Sequence, residues 1–359
     1  MSGIVGAMHR LSSFLCTVFV FACALSLAPT VSAHEVYVLS HTQIDQAVGT
    51  PRFSMLAVVE KNMGEFTLWA FISLFAVFCV FFISILRILE RYTDPFLLRL
   101  RPYAPFVGRM TIGLSFLAGA YYHAAYGPEL PLSSMYGSFE NIATEVLVII
   151  GLMTIIGLFT RVAACIGLVI YAIAVWFYGW YMLMYLNYVG ELIVLLLLGA
   201  HMLSVDRFFY PKKKKKTRAA KKTFIDILAP YSFPLLRVCF GISLIAASVY
   251  AKVIHNNLGL DTVIHYHLDT LLGFEPHFLV LGAAIIEIVI GSFILLGIEI
   301  RFTALFFEFW LVQSLVFFGE AVWPHIILIG IPIALIMYGY DNNSVEGYFF
   351  RDKEYEPVL

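Results

Sequence analysis

Four glutamates, Glu145, Glu191, Glu287 and Glu308, lie inside long apolar runs. An ionised side chain at such a position costs on the order of 3 kcal/mol on insertion scales, so it persists when it is paired or functional. A carboxyl taken out of water holds its proton more tightly, which suits proton exchange with a quinone or with a transported ion. The same group also suits plain hydrogen bonding between helices. Glu287 leads the candidates for a chemical role, Glu191 follows, and Glu145 and Glu308 stand behind them. Lys252 and Glu320 fall nearer the ends of their runs.

Histidines form the second group. His34, His41, His123, His255, His265, His267, His277 and His325 fall outside the apolar runs or at one edge of them. Neutral imidazole is a common ligand for copper or zinc, and Asp261, Asp269 and Glu275 share a long connection with His255, His265, His267 and His277. An extended His265-Tyr266-His267 would aim both rings to one side, whereas a helix would splay them. No diagnostic zinc spacing is present, and polar interface residues are the ordinary reading of such histidines.

Cysteine chemistry is argued against. Cys79, Cys165 and Cys239 stand singly in apolar runs with no Cys-x-x-Cys pair, so thiol–disulfide exchange is not expected. A glycine-rich nucleotide loop, a serine nucleophile elbow and an HExxH pattern are all missing from the sequence.

The elements that carry these residues follow from composition. With 61% hydrophobic and 13% charged residues and a mean hydropathy of +0.87, the chain has too little polar surface for a soluble globule, and its solvent is a lipid bilayer. A net charge of −1 leaves no footprint for a nucleic-acid partner. Residues 1–33 read as a cleavable signal peptide, with a basic start, an apolar run from Phe14 to Leu27 and Val-Ser-Ala at 31–33. Residues 34–66 then form a polar extracytoplasmic segment.

Nine runs are apolar and near the roughly 20 residues a helix needs to cross the hydrocarbon core: 67–86, 110–126, 142–159, 162–181, 184–204, 233–253, 278–297, 302–319 and 324–340. The fold expected is therefore all-α, a polytopic membrane helix bundle. Arg87, Arg91, Arg99, Arg101, Arg109, Arg161 and Arg301, with the cluster Lys212 to Lys216, fall on one side if the mature amino terminus is outside and the carboxy terminus is cytoplasmic. That places the chain in the plasma (inner) membrane. Lys212 to Lys216 read as a topology anchor and linker rather than a lipid site. Arg87 to Arg109 alternates basic and apolar residues and reads as a short interfacial helix after an extra span.

An internal repeat organises the rest. Arg109, Gly113, Ser115, Ala118 and Tyr122 recur as Arg237, Gly241, Ser243, Ala246 and Tyr250, an offset of 128. Gly151, Gly157, Arg161, Phe177, Gly179, Gly190 and Gly199 recur as Gly291, Gly297, Arg301, Phe317, Gly319, Gly330 and Gly339, an offset of 140. The boundaries expected are a 67–108 extra helix and linker, a 109–210 first four-helix unit, a 211–230 basic linker, a 231–345 second unit and a 346–359 tail. An even number of spans per unit makes the two copies parallel, and a site is expected at the interface between them. Small residues also let helix backbones approach closely, which explains the glycines without any function.

Ala283 to Arg301, with Ile286-Glu287-Ile288-Val289-Ile290-Gly291 and Leu295-Leu296-Gly297-Ile298-Glu299-Ile300-Arg301, resembles the glutamate–glycine–glycine–arginine region of the DoxX family. Gly157-Leu158-Phe159-Thr160-Arg161 and the ending Leu203-Ser204-Val205-Asp206-Arg207 resemble the same family's second-helix exit and terminal signature. The resemblance covers residues 105–345 as two tandem units. The first copy has Leu147 where the second has Glu287, and the second ends at Tyr340-Asp341 without the serine. The resemblance implies likeness to small subunits of membrane thiosulfate:quinone oxidoreductases, hence soluble or membrane redox partners and a possible quinone. Three readings stay open: a quinone-linked redox subunit using Glu287 and Glu191, a metal or small-solute transporter fed by the histidine-rich face, and a noncatalytic scaffold.

Overall fold

The structure, a computed structural model, describes residues 39, 41–64, 66–199, 203–206, 224–318, 323–341 and 343–349. The expected signal peptide, His34, Lys212 to Lys216 and the end of the tail lie outside the described residues. Among the described residues every regular element is a helix, and the one β contact is an isolated bridge between Ala124 and Pro131. We number the longer helices α1 (His41–Gly49), α2 (Met55–Asn62), α3 (Phe66–Leu100), α4 (Ala104–Tyr121), α5 (Glu140–Ile156), α6 (Thr160–Tyr178), α7 (Leu186–Leu198), α8 (Ser232–Ser248), α9 (Asn256–His265), α10 (Pro276–Leu296), α11 (Ile300–Phe318) and α12 (His325–Tyr338).

Among the described residues, five stretches are long and apolar enough to cross a membrane: Leu132–Ile156, Thr160–Leu198, Ala229–Ile254, Pro276–Leu296 and Ile300–Phe318. Helices satisfy every backbone polar group internally, which is why such runs take this form in lipid. The helical, apolar bundle is that of a multi-pass membrane protein. Of the nine expected spans, 162–181 and the first part of 184–204 fall in the single stretch Thr160–Leu198, where a 3-10 segment, Gly179–Tyr185, joins α6 to α7. His325–Tyr338 and Leu68–Cys79 are apolar but shorter.

The expected interfacial helix after residue 87 is corrected. Helix α3 runs unbroken for 35 residues, about 52 Å at 1.5 Å per residue, which exceeds a hydrocarbon core of about 30 Å. Pro95 sits within it near its end. Asp94 is buried there, and its carboxylate pairs with the Arg301 guanidinium at the start of α11.

Glycines set the helix spacings. A Cβ on Gly113 of α4 would lie 2.6 Å from Ile155 Cγ1 and 3.0 Å from the Gly151 carbonyl on α5. A Cβ on Gly241 of α8 would lie 2.6 Å from Leu295 Cβ and 2.7 Å from the Gly291 carbonyl on α10. Two further crossings tie α7 to α8 and α12 to α4. Gly190 of α7 faces Leu236 and Cys239, each 3.0 Å from its added Cβ, and a Cβ on Gly330 of α12 would overlap Thr111 Cγ2.

The connection 122–131 turns inward instead of lying on the surface. Ala124, Ala125, Tyr126 and Leu130 are all buried, and the Tyr126 hydroxyl donates to the Gly167 carbonyl at 3.0 Å. Irregular backbone inside a membrane bundle requires such enclosure by protein. Helices α1 and α2 dock on the same end. Asn256 donates to the Phe53 carbonyl at 2.8 Å and accepts from its N–H at 3.2 Å, while Asn257 donates to the Thr50 carbonyl at 3.1 Å.

Replacing Gly330 by alanine should destabilise the purified protein by about 1–3 kcal/mol through overpacking against Thr111, seen as a lower thermal transition in detergent. Gly49→Ala, where nothing lies within 4 Å of the added carbon, should leave the transition unchanged. Equal transitions for the two variants would refute the close crossing.

Candidate functional site

Glu191 projects from α7 into the seam between α4 and α12 and is 1% exposed. The Thr111 hydroxyl donates to its Oε1 at 2.9 Å, with Oε2 at 3.2 Å. The same hydroxyl lies 3.1 Å from the Val107 and Gly108 carbonyls. One hydroxyl carries one proton, so Thr111 serves a single acceptor at a time. When it turns to its own helix, a proton on Glu191 completes the bond in the other direction. Gly108 leaves room for the carboxyl, since a Cβ there would lie 3.6 Å from Glu191 Oε1, and Gly330 closes the far side against Thr111. Thr111 is the one hydrogen-bond partner of Glu191 among the described residues.

The other candidate glutamates stand apart. Glu287 faces away from the seam and forms an ion pair with Lys252 at 2.9 Å, Lys252 being buried and Glu287 partly exposed. That pair explains both charges as mutual neutralisation at membrane depth. Glu145 is exposed on α5, and Glu308 on α11 is partly buried with Oε2 unbonded.

The arginines at the opposite end hold helix termini. Arg109 donates to the Leu203 carbonyl at 2.6 Å, Arg237 to the Asn343 carbonyl at 3.2 Å, Arg161 to the Leu197 carbonyl at 3.1 Å and Arg301 to the Ile336 carbonyl at 3.1 Å. Gly157 and Gly297 end their helices in the left-handed conformation, at φ 74° and 69°, and each is packed against an arginine and a serine. For Gly157 these are Arg109 and Ser204, and for Gly297 they are Arg237 and Ser344. Ser344, three residues beyond Asp341, packs on Gly297 as Ser204 packs on Gly157. The Asp206 carboxylate accepts from the Phe159 N–H at 2.9 Å, and the Glu346 carboxylate accepts from the Ile300 N–H at 3.2 Å.

The histidines are not brought together. Among the described residues no group of three or more His, Cys, Asp or Glu is placed to hold a metal ion. His255 packs on Tyr250 at 4.7 Å, His265 on Tyr266 at 5.0 Å, and His277 on Phe53 at 4.7 Å and beside Glu275 at 3.6 Å. His267 takes a left-handed conformation, φ 50°, after α9 ends, so the His265-Tyr266-His267 stretch is neither extended nor helical throughout. Burial lowers the His255 pKa from 6.5, which keeps its ring neutral at neutral pH.

A cluster that sequence reading missed surrounds Glu129. Its carboxylate accepts from the Tyr185 hydroxyl and, at 3.3 Å, from the Tyr181 hydroxyl. Tyr126, Tyr171, Tyr185 and Tyr188 pack ring against ring, and Tyr250 joins through Tyr181 at 5.1 Å. The signal was Gly127-Pro128-Glu129-Leu130-Pro131, an acid held in a proline-framed loop. Elsewhere, an apolar cleft of about 360 Å³ opens between α3, α10 and α11, lined by Phe71, Phe78, Phe293, Phe306 and Trp310 among others. The Thr303 hydroxyl on its wall donates to the Ile298 carbonyl at 2.9 Å.

Comparison with family models, with curated proteins and with solved structures finds no match.

Two outcomes follow. Asp94→Asn leaves the buried Arg301 guanidinium without its counter-charge and should cost about 3–5 kcal/mol, read as loss of the folded species on size-exclusion after mild heating. A variant as heat-resistant as the parent would remove the pair from the account of stability. The Lys61 hydrogen bond, 2.6 Å long, lowers the Glu275 pKa from 4.5 against a smaller opposing effect of burial. Its contribution is present above pH 4.5 and lost as pH falls through the lowered value. It is small, because both groups are partly solvated. Protease cleavage between residues 41 and 64 should rise only under those acid conditions, and Lys61→Ala should abolish the pH step.

Proposed function

We propose that the chain consists of two parallel DoxX-like four-helix units plus the long helix α3, and serves a membrane redox complex as a quinone-linked subunit. In this reading Glu191 takes up and releases a proton at the interface between units. The observation that carries it is the position of Glu191: fully buried where α7 of the first unit meets α12 of the second, with a hydroxyl as its bonding partner. The two-unit reading is supported by contacts that recur at the offsets found in the sequence. Gly113 with Gly151 answers Gly241 with Gly291, and Arg109, Gly157 and Ser204 answer Arg237, Gly297 and Ser344. The count of nine spans requires Thr160–Leu198 to cross twice, as α6 and α7, and α4, α12 and the apolar part of α3 to cross as well; the basic residues then favour an amino terminus outside.

A bound quinone would supply the two-electron, two-proton chemistry. The aromatic cleft between α3, α10 and α11 suits its apolar tail. It does not suit the head ring, because the one wall hydroxyl, Thr303, is already engaged. This chain's own part is to hold a proton at a Glu191 carboxyl oxygen, with Thr111 orienting the group and the seam excluding water.

Isolation of the full chain from its native membrane in mild detergent, followed by mass spectrometry and elemental analysis, should recover quinone or a redox subunit. Glu191→Gln should then lower quinone-linked turnover in those membranes by about 100-fold or more, while Glu145→Gln leaves it intact. Recovery of neither quinone nor partner, with full function in Glu191→Gln cells, would transfer the assignment to a noncatalytic scaffold. Stoichiometric copper or zinc would transfer it to the histidine-bearing face.

A further inference from the structure

We infer that Tyr185, Tyr188 and Ser115 form a proton path joining Glu129, at the end of the bundle that carries the buried loop, to Glu191 in the unit interface. The inference rests on the reading of Glu191 as a proton-carrying group and adds the route by which its proton arrives. Tyr188 and Glu191, three apart, lie on one side of α7 with a rise of about 4.5 Å between them, and Tyr185 ends the 3-10 segment that leads into the helix. Ser115 and Thr111, four apart on α4, face them as the next turn of a second helix. Every oxygen in the row belongs to a group able to pass a proton, and the row is enclosed except at Glu129 and Thr111, which are half-buried. Tyr185 is 8% exposed, Tyr188 and Ser115 are 0% exposed, and Glu191 is 1% exposed.

The row is hydrogen-bonded at its two ends, Tyr185 to Glu129 and Thr111 to Glu191, and the steps between are closed by rotation of Tyr185, Tyr188 and Ser115. Tyr185 bonds Glu129, and its ring centroid lies 6.1 Å from that of Tyr188. The Tyr188 hydroxyl donates to the Tyr126 carbonyl at 2.9 Å and stands beside the Ser115 hydroxyl, whose own Oγ closes no hydrogen bond. A buried hydroxyl without a closed bond is a costly arrangement for packing alone. Beyond it, Thr111 bonds Glu191.

The second unit supplies an internal control. At the offset of 140, Tyr188 and Glu191 correspond to Leu328 and Ile331, and at 128 Thr111 corresponds to Cys239. Ile331 is fully buried there. The corresponding crossing is thus built without the phenol or the carboxyl, so the fold does not require them in the first unit.

Transfer conserves every hydroxyl. As a proton leaves the Glu129 carboxyl for the Tyr185 oxygen, the original Tyr185 proton passes on, and the same exchange at Tyr188, Ser115 and Thr111 ends with one O–H bond formed on Glu191. Tyr185 and Tyr188 rotate from their resting acceptors, the Glu129 carboxylate and the Tyr126 carbonyl, as the proton passes.

The test is hydrogen–deuterium exchange of the Glu191 carboxyl, followed by infrared spectroscopy on the full chain in detergent after dilution into heavy water. The band is assigned by its loss in Glu191→Gln. Tyr188→Phe and Glu129→Gln should each slow its shift at least about tenfold, with Ser115→Ala in the same direction and Tyr121→Phe, an exposed ring, unchanged. If Tyr188→Phe does not fold, Glu129→Gln and Ser115→Ala carry the test. Exchange at the parent rate in those variants overturns the path and leaves the proton-carrying role of Glu191 standing. Absence of any band that depends on Glu191 overturns both.

Discussion

At Gly330 one helix passes so close to Thr111 that a single added carbon would overlap its side chain, and most of what is distinctive about the bundle depends on that proximity. The crossing leaves no space for lipid or water over the Glu191 carboxyl, so the group is solvated by protein alone. Its counterpart at Gly190 brings α7 against Leu236 and Cys239 with the same economy of side chain. Helix association in lipid lacks a hydrophobic drive and relies on dispersion contacts made by close backbones, which is why glycines rather than large apolar residues define these seams.

Charge is handled differently at the two ends. Where the arginines gather, their guanidinium groups bond the carbonyls that helix termini leave unsatisfied, so the cations complete the backbone. Gly157 and Gly297 make room for this by turning the chain left-handed beneath an arginine. At the other end the acid Glu129 is fixed by phenols and Glu275 by a surface lysine. In between, Lys252 and Glu287 neutralise one another. Glu191 differs from all of these in having a hydroxyl where the others have a cation or several donors.

The sequence made the helical class and the glycine and arginine skeleton readable, because composition and a constant offset depend on no long-range geometry. Extended one step further, the same offset leads from Ser204 and Asp206 to Ser344 and Glu346, whose contacts match; a search for Ser-x-Asp passes over them because the later pair is Ser-x-Glu. What stayed unreadable is pairing across the bundle. Glu287 looked like the leading chemical residue until Lys252, 35 positions earlier, proved to be its partner. Nothing in the sequence marks Tyr181 and Tyr188 as a cluster, since periodicity cannot reveal that residues 122–131 fold inward to meet them. The histidines share a connection in sequence, yet α9 and the turn at His267 distribute them to separate aromatic partners.

The order of synthesis gives the Gly330 crossing a further meaning. Thr111 lies in α4 and Gly330 in α12, so roughly 220 residues are made between them. At about 5–20 residues per second, α4 waits roughly 10–45 s before α12 arrives to cover it, and α7, made later, waits roughly 7–28 s. During that interval Glu191 faces lipid or insertion machinery with Thr111 beside it, and the nascent chain carries an open polar seam. Burial of that seam marks the end of assembly, which makes it a natural feature for membrane quality control to sense in chains that stall before α12.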